Sequence, residues 1–270
     1  MITQLKSNGN AHSSHHQHHH QQQQQQHRHE PNQMPYNVIL KYNPTVPKAG
    51  QPTLITIKIR ENKTEKRVKE FDLRHEKLMH VIIASEDLAY FSHIHPIFDD
   101  KEDIFTVYHQ FPETGEYKIW VDFKPKDGNQ TLVSFKLDNM IGNAHKPIRI
   151  TKESQYTKQI DENYKVELIL PKEIEPNKPV NFTFNILDQN SNAITDLTPL
   201  MSAGGHSVII SSNLEEFLHV HPTEEVSPEW KGGPTISFST IFPHSGLYKI
   251  WGQFQHRGIT ITADFTVEVL

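Results

Sequence analysis

Two stretches of the chain carry the same histidine spacing. His80, twelve residues and then His93-x-His95-Pro96 recur as His206, twelve residues and then His219-x-His221-Pro222. Neutral imidazole is a ligand for Zn(II) and Cu(II). Three such rings form a coordination set that water, a carboxylate or a substrate can complete. Side chains alternate along a strand, so His93 and His95 share a face, as do His219 and His221. The segments between read as hairpins: a strand at 80–84, a turn around Ser85-Glu86-Asp87, and a strand at 91–95. If His80 lies opposite His93 or His95, one face carries His80, Ile82, Ala84, Phe91, His93 and His95. The three rings then stand within cross-strand reach, about 5 Å. A slip of one residue would send His80 to the other face.

Pro96 and Pro222 each remove a ladder donor, which places the strand end near the rim of a sandwich, open to solvent and metal. A structural reading competes: paired histidines can stack on Phe91 or Phe217 and hydrogen-bond to loop carbonyls. Three histidines keep one spacing in both copies while their neighbours change: Asp87 becomes Asn213 and Tyr90 becomes Glu216. That weighs toward metal ligation by His80, His93, His95, His206, His219 and His221. Weaker candidates are Met79 and Met201, which do not align, and His109, His244 and His256, which have Thr240, Glu113 and Pro125 opposite them.

The elements around these histidines are duplicated too. The stretch 80–96 matches 206–222 at an offset of 126, and Phe111-Pro-x-x-Gly115-x-Tyr117-x-Ile-Trp120 matches Phe242-Pro-x-x-Gly246-x-Tyr248-x-Ile-Trp251 at 131. The expected organisation is a tail over 1–34, one repeat over 35–140, a polar linker over 141–160 with a short strand at 148–150, and a second repeat over 161–270. A period above 100 residues describes a tandem domain array, not a solenoid. Within the first copy, apolar runs at 38–42, 54–59, 81–84, 105–111, 117–123 and 132–137 are separated by turn residues, and none sustains a helical period. The expected fold is all-β: two tandem immunoglobulin- or cupredoxin-like β-sandwiches. Gly115-x-Tyr117 and Gly246-x-Tyr248 resemble a tyrosine corner, which assigns structural roles to Tyr117, Trp120, Tyr248 and Trp251.

Composition sets the outer bounds. The chain has 270 residues, 27 Lys+Arg and 32 Asp+Glu, for a net charge of −5. That balance argues against nucleic acid as a partner. There is no Cys, which excludes disulfides, cysteine zinc sites, iron–sulfur clusters and thiolate copper. No apolar run reaches the roughly 18 residues of a membrane span. The start of the chain shows no signal-peptide core, so the default compartment is the cytoplasm. Eight of the 19 histidines precede residue 30: His12, His15, His16, His18, His19, His20, His27 and His29. The low-complexity tail that holds them is expected to be disordered. Metal collection and a neutral solvated tail are both open readings of it.

The run Leu200-Met-Ser-Ala-Gly-Gly-His206 through Leu218-His219-Val-His221-Pro222, with Phe242-Pro-x-x-Gly246-x-Tyr248-x-Ile-Trp251-x-Gln-Phe254, resembles a family of bacterial proteins. Its members carry an immunoglobulin- or cupredoxin-like sandwich with a His-x12-His-x-His-Pro motif. The resemblance implies association with copper or other heavy metals, an extracytoplasmic or membrane-attached setting, and a metal-transport or surface protein as partner. It falls on the same six histidines. The first copy departs from it in carrying Leu78-Met79 where the second has Gly204-Gly205.

Three functions follow as expectations. The first is a metal-binding protein, a copper or zinc chaperone, buffer or sensor, using a three-His site in each sandwich and the tail as collector. The second is a tandem β-sandwich interaction or surface-assembly module with incidental histidines. The third is a three-His metalloenzyme, ranked last because no general base keeps its place in both copies: Glu86 becomes Ser212 and Asp87 becomes Asn213. The protein is accordingly expected not to be an enzyme.

Overall fold

The computed structural model describes residues 35–270; the histidine-rich tail lies outside them. In chain order the strands of the first repeat are β1 (Tyr36–Asn43), β2 (Pro52–Glu61), β3 (Met79–Ser85), β4 (Phe91–Ile94), β5 (Ile97–Asp99), β6 (Ile104–Gln110), β7 (Tyr117–Phe123) and β8 (Thr131–Leu137). Those of the second are β9 (Thr157–Gln159), β10 (Tyr164–Ile169), β11 (Pro179–Asp188), β12 (His206–Ser211), β13 (Phe217–Val220), β14 (Thr235–Ile241), β15 (Gly246–His256) and β16 (Ile259–Val269). Among the described residues no helix is long and apolar enough to cross a membrane.

Each repeat is a pair of four-stranded antiparallel sheets, β1-β2-β6-β5 over β4-β3-β7-β8 and β14-β11-β10-β9 over β13-β12-β15-β16. This is the expected all-β tandem. The edge strands differ: β5 extends the first repeat on one side and β9 extends the second on the other. The linker differs from expectation as well. Residues 148–150 form no strand, and the short strand lies at Thr157–Gln159, paired to β10. Tyr117 Oη donates to the Glu113 carbonyl at 2.9 Å, and Tyr248 Oη to the His244 carbonyl at 3.0 Å. Both tyrosine corners are therefore formed, each tying the start of a late strand to the loop before it.

The two sandwich cores solve the same packing problem with exchanged volumes. Ile57 faces Phe105 across β2 and β6, whereas Phe184 faces Ile236 at the corresponding places of β11 and β14. The Val121 position of the first repeat is Gly252 in the second. A Cβ on Gly252 would stand 2.6–2.9 Å from the Phe184 ring, so the missing side chain is the space the larger ring occupies.

Strand β3 is buried along its whole length, as is β12. A strand buried on both faces reads as a continuous apolar run, which Val-Ile-Ile-Ala shows. Met79, Val81 and Ile83 belong to the core of the first sandwich. Ile82 and Ala84, on the opposite face, belong to a third core with Leu88, Trp120, Val208, Ile210 and Trp251. That third core joins the repeats: the β3–β7 sheet packs face to face on the β12–β15 sheet.

The junction repeats its contacts about a pseudo-two-fold. Phe91 stacks on Trp251 with ring centroids 4.7 Å apart, and Phe217 on Trp120 at 5.2 Å. Lys118 Nζ donates to the Leu214 carbonyl at 2.6 Å and Lys249 Nζ to the Leu88 carbonyl at 3.0 Å. The same ammonium groups lie over Trp120 and Trp251, with Nζ 5.5 and 5.7 Å from the ring centroids. Leu88 and Leu214 sit at positive φ, 56° and 60°, in the turn that joins the two strands of each hairpin. Such stacked pairs add about 0.5–1.5 kcal/mol each beyond the area they bury.

Candidate metal centre

The histidines sit on the face that the repeats share. In β3–β4, Ile82 pairs with His93 and Ala84 with Phe91, which sets His80 opposite His95. In β12–β13, Val208 pairs with His219 and Ile210 with Phe217, which sets His206 opposite His221. The register is the even one, and the expected face of six residues is the observed one. It is not a free rim, however. The lower part of that face is apolar and closed by the other repeat, and the histidines crown it.

Each triad is compact. In His80, His93 and His95 one ligand nitrogen per ring lies within 4.8 Å of the other two, and the same holds for His206, His219 and His221. His80 and His206 are each 1% exposed, and the other four are half-buried. A tetrahedral ion needs ligand nitrogens about 3.3 Å apart, so a set spread by up to 4.8 Å must draw together to close on an ion.

The outer nitrogens are already committed. His80 Nε2 donates to the Arg74 carbonyl at 2.9 Å, and His206 Nε2 to the Leu200 carbonyl at 3.0 Å. Both carbonyls belong to tight turns, 74–77 and 200–203, whose central residues His75, Glu76, Met201 and Ser202 all have positive φ. Gln253 Nε2 donates to Thr262, so its Oε1 faces His93 and accepts from Nδ1 at 3.0 Å. His219 Nδ1 faces Asp122 Oδ2 at 3.5 Å. Metal-binding histidines are characteristically held this way, with the second nitrogen on a carbonyl, amide or carboxylate.

In His80 and His206 the bond to a carbonyl fixes the proton on Nε2, which leaves Nδ1 of the neutral ring as a lone pair. His80 Nδ1 and His93 Nε2 face each other at 2.9 Å. Nε2 of His95, Nδ1 of His206, Nε2 of His219 and Nε2 of His221 are buried with no hydrogen-bond partner. Leaving a buried polar atom unpaired costs about 1–3 kcal/mol, and within each triad the ligand atoms are close enough together that one ion could be their partner.

Burial also keeps the rings neutral. It pushes His93 down to about 4 and His206 to about 3, and neighbouring histidines reinforce both shifts. It lowers His80 and His95 as well, and takes His219 and His221 far below the usual imidazole range. Neutral imidazole is the form that ligates.

Three contributors were not expected. Asp122 and Gln253 stand across the ladder from His80 and His206 and reach the opposite repeat. Their signal was present in Trp120-x-Asp122 and Trp251-x-Gln253: a polar residue two places on shares the tryptophan's face. The third is His75. It stacks on His221 with centroids 3.8 Å apart, and its Nε2 is buried without a partner. Met201 stands at its place in the second repeat, so the duplication could not reveal it.

The weaker candidates stay outside. Met79 is in the first sandwich core. His109 faces Tyr90 Oη at 3.4 Å, His244 pairs with Glu216, and His256 bonds Tyr164 and Asp196.

Among solved structures, the chain is similar to a red sea bream transglutaminase (TM-score 0.26, 9% identity, 88% of this chain and 31% of that one). It is also similar to the Escherichia coli adhesin FdeC (0.25, 12%, 86% and 64%). A third likeness is to fibronectin(III)-like modules of Clostridium thermocellum CbhA (0.22, 11%, 86% and 94%). The chain spans under two thirds of the length of the first two. No curated protein matches it in sequence. Residues 32–140 and 158–270 each match the family described as "Domain of unknown function (DUF8832)", and the chain belongs to that family as a tandem of two copies.

Proposed function

We propose that the protein binds copper or zinc through His80, His93 and His95 in one repeat and His206, His219 and His221 in the other. The observation that carries the reading is the convergence of ligand nitrogens within each triad: His80 Nδ1 and His93 Nε2 lie 2.9 Å apart beside the unpartnered Nε2 of His95, and Nδ1 of His206 with Nε2 of His219 and His221 are buried without a partner. A cation gives these nitrogens the partner that the protein does not. An all-imidazole set suits Cu(II) and Zn(II) and disfavours hard cations that require oxygen. The role in this reading is metal handling, as chaperone, buffer or sensor.

The test uses the full chain with its eight tail histidines replaced by Gln, titrated with Zn(II) or Cu(II). Bound metal and melting temperature are followed together. At an ion concentration 100 times Kd, a site in the folded state adds about 2.7 kcal/mol of stability. Stoichiometric binding that H93A/H95A reduces supports the reading. No retained metal and no change in melting temperature would end it.

A further inference from the structure

We infer that the two triads form one binuclear centre, assembled across the junction of the repeats, that holds two metal ions bridged by a hydroxide. The inference rests on the metal-binding reading above and extends it from two independent sites to one shared one.

The nearest rings of the two triads are spaced much as rings within a triad are, with His93 and His206 somewhat farther apart at 6.2 Å. His80 and His93 of the first triad lie 5.5 and 5.6 Å from His219 of the second, ring centroid to ring centroid. Within the triads the separations run from 4.7 Å, for His93–His95 and His219–His221, to 5.9 Å for His206–His219. The rings thus make one continuous cluster. Ligand rings this close from two sets are what a two-metal site, with ions about 3.5–4 Å apart, requires.

The supporting contacts cross in the same way. Gln253 of the second repeat orients His93, and Asp122 of the first faces His219. Neither triad has its outer contacts complete without the other repeat. The packing beneath is specified by the exchanged Phe91–Trp251 and Trp120–Phe217 stacks, so the junction is built and not incidental.

Charge identifies the bridge. Six neutral imidazoles bring no anion, and Asp122 is a single carboxylate beside two divalent ions. An anion between the ions offsets the excess, and water supplies it: two M(II) and one H2O give M–OH–M and one proton released to solvent. A metal lowers the pKa of bound water to near neutrality, and two ions on one oxygen lower it further.

The test loads the full chain, with its eight tail histidines replaced by Gln, with Cu(II). Copper per chain and the integrated electron paramagnetic resonance signal are measured on the same sample. The expected result is two copper ions per chain, an integrated signal well below two spins, and a half-field transition. H219A should then retain one copper ion with its full single-spin signal. Two ions with two full, uncoupled spins would overturn the shared centre and leave two separate sites. A single ion per chain at saturation would overturn it as well. No bound copper would overturn this inference, and no bound zinc in the same protein would remove the metal-binding reading with it.

Discussion

Nδ1 of His93 lies 3.0 Å from Oε1 of Gln253, so a histidine of the first repeat takes its orientation from the second. The reciprocal pair, His219 Nδ1 and Asp122 Oδ2, is longer at 3.5 Å but carries a charge. The two differ in what they do to the ring. An amide oxygen fixes the tautomer; a carboxylate also makes the opposite nitrogen a stronger donor. The triads are therefore geometrically alike but differently supported, an amide facing His93 and a carboxylate facing His219.

Removing either support is expected to weaken the centre without unfolding the protein. Q253A and D122A should each lower metal affinity about 10–100-fold, the usual effect of losing an orienting partner. D122N should fall between wild type and D122A, because it keeps the shape and drops the charge. Competition against a chelator of known affinity measures this. Unchanged affinity in D122A would mean that His219 is oriented by its own repeat alone.

The histidines also predict how stability follows pH. Burial holds His75, His93 and His109 at about 4, below their ordinary 6.5. As pH falls below 6.5 the unfolded chain takes up protons that the folded chain refuses, so folding loses stability from there down toward pH 4. Each refused proton contributes a slope of about 1.4 kcal/mol per pH unit. His145 opposes the trend, since its hydrogen bond to Asp87 raises it. Urea midpoints of the metal-free protein should therefore drop steeply between pH 7 and 5. A flat or rising midpoint would show that the rings are not held neutral.

Much of the architecture was legible because strand alternation and turn residues are local. The strand at 117–123 and the even hairpin register follow from period two and from the position of Ser85-Glu86-Asp87. The partner of the histidine face was not legible. Val81 and Ile83 on one side of β3 and Ile82 and Ala84 on the other are equally apolar, so the sequence cannot say which side meets its own sandwich and which meets another. The expected rim became the roof of a junction for that reason. Residues 148–150 look like a strand but join no ladder; Ile148 N–H donates to Asp87 Oδ2 at 3.1 Å and Ile150 packs on the junction core.

Gly252 offers a test of the exchanged core volumes. Its added Cβ would meet three atoms of the Phe184 ring at 2.6–2.9 Å, and Phe184 is itself fully buried. G252A should cost about 1–3 kcal/mol, as overpacking does. Adding F184L in the same chain frees the space, so the double variant should recover part of that loss. Additive losses, measured by denaturant unfolding, would show that the ring and the missing side chain are not coupled.

The tryptophans test whether the junction positions the proposed metal centre or merely holds two domains together. Trp120 is 2% exposed, belongs to the junction core, and stacks on Phe217. W120A should cost about 3–5 kcal/mol, the usual range for a buried aromatic truncated to Ala. Phe111, fully buried in the first sandwich, is the matched control: F111A should cost a similar amount while leaving the junction packed. The two variants part on metal affinity. W120A loosens the surface that brings Gln253 to His93 and Asp122 to His219, so binding at both triads should weaken. F111A should bind as wild type does wherever it is folded. Equal affinity in W120A and F111A would mean that each hairpin presents its three histidines unaided. A selective loss in W120A would place the junction, and not the single hairpin, as the unit that makes the site.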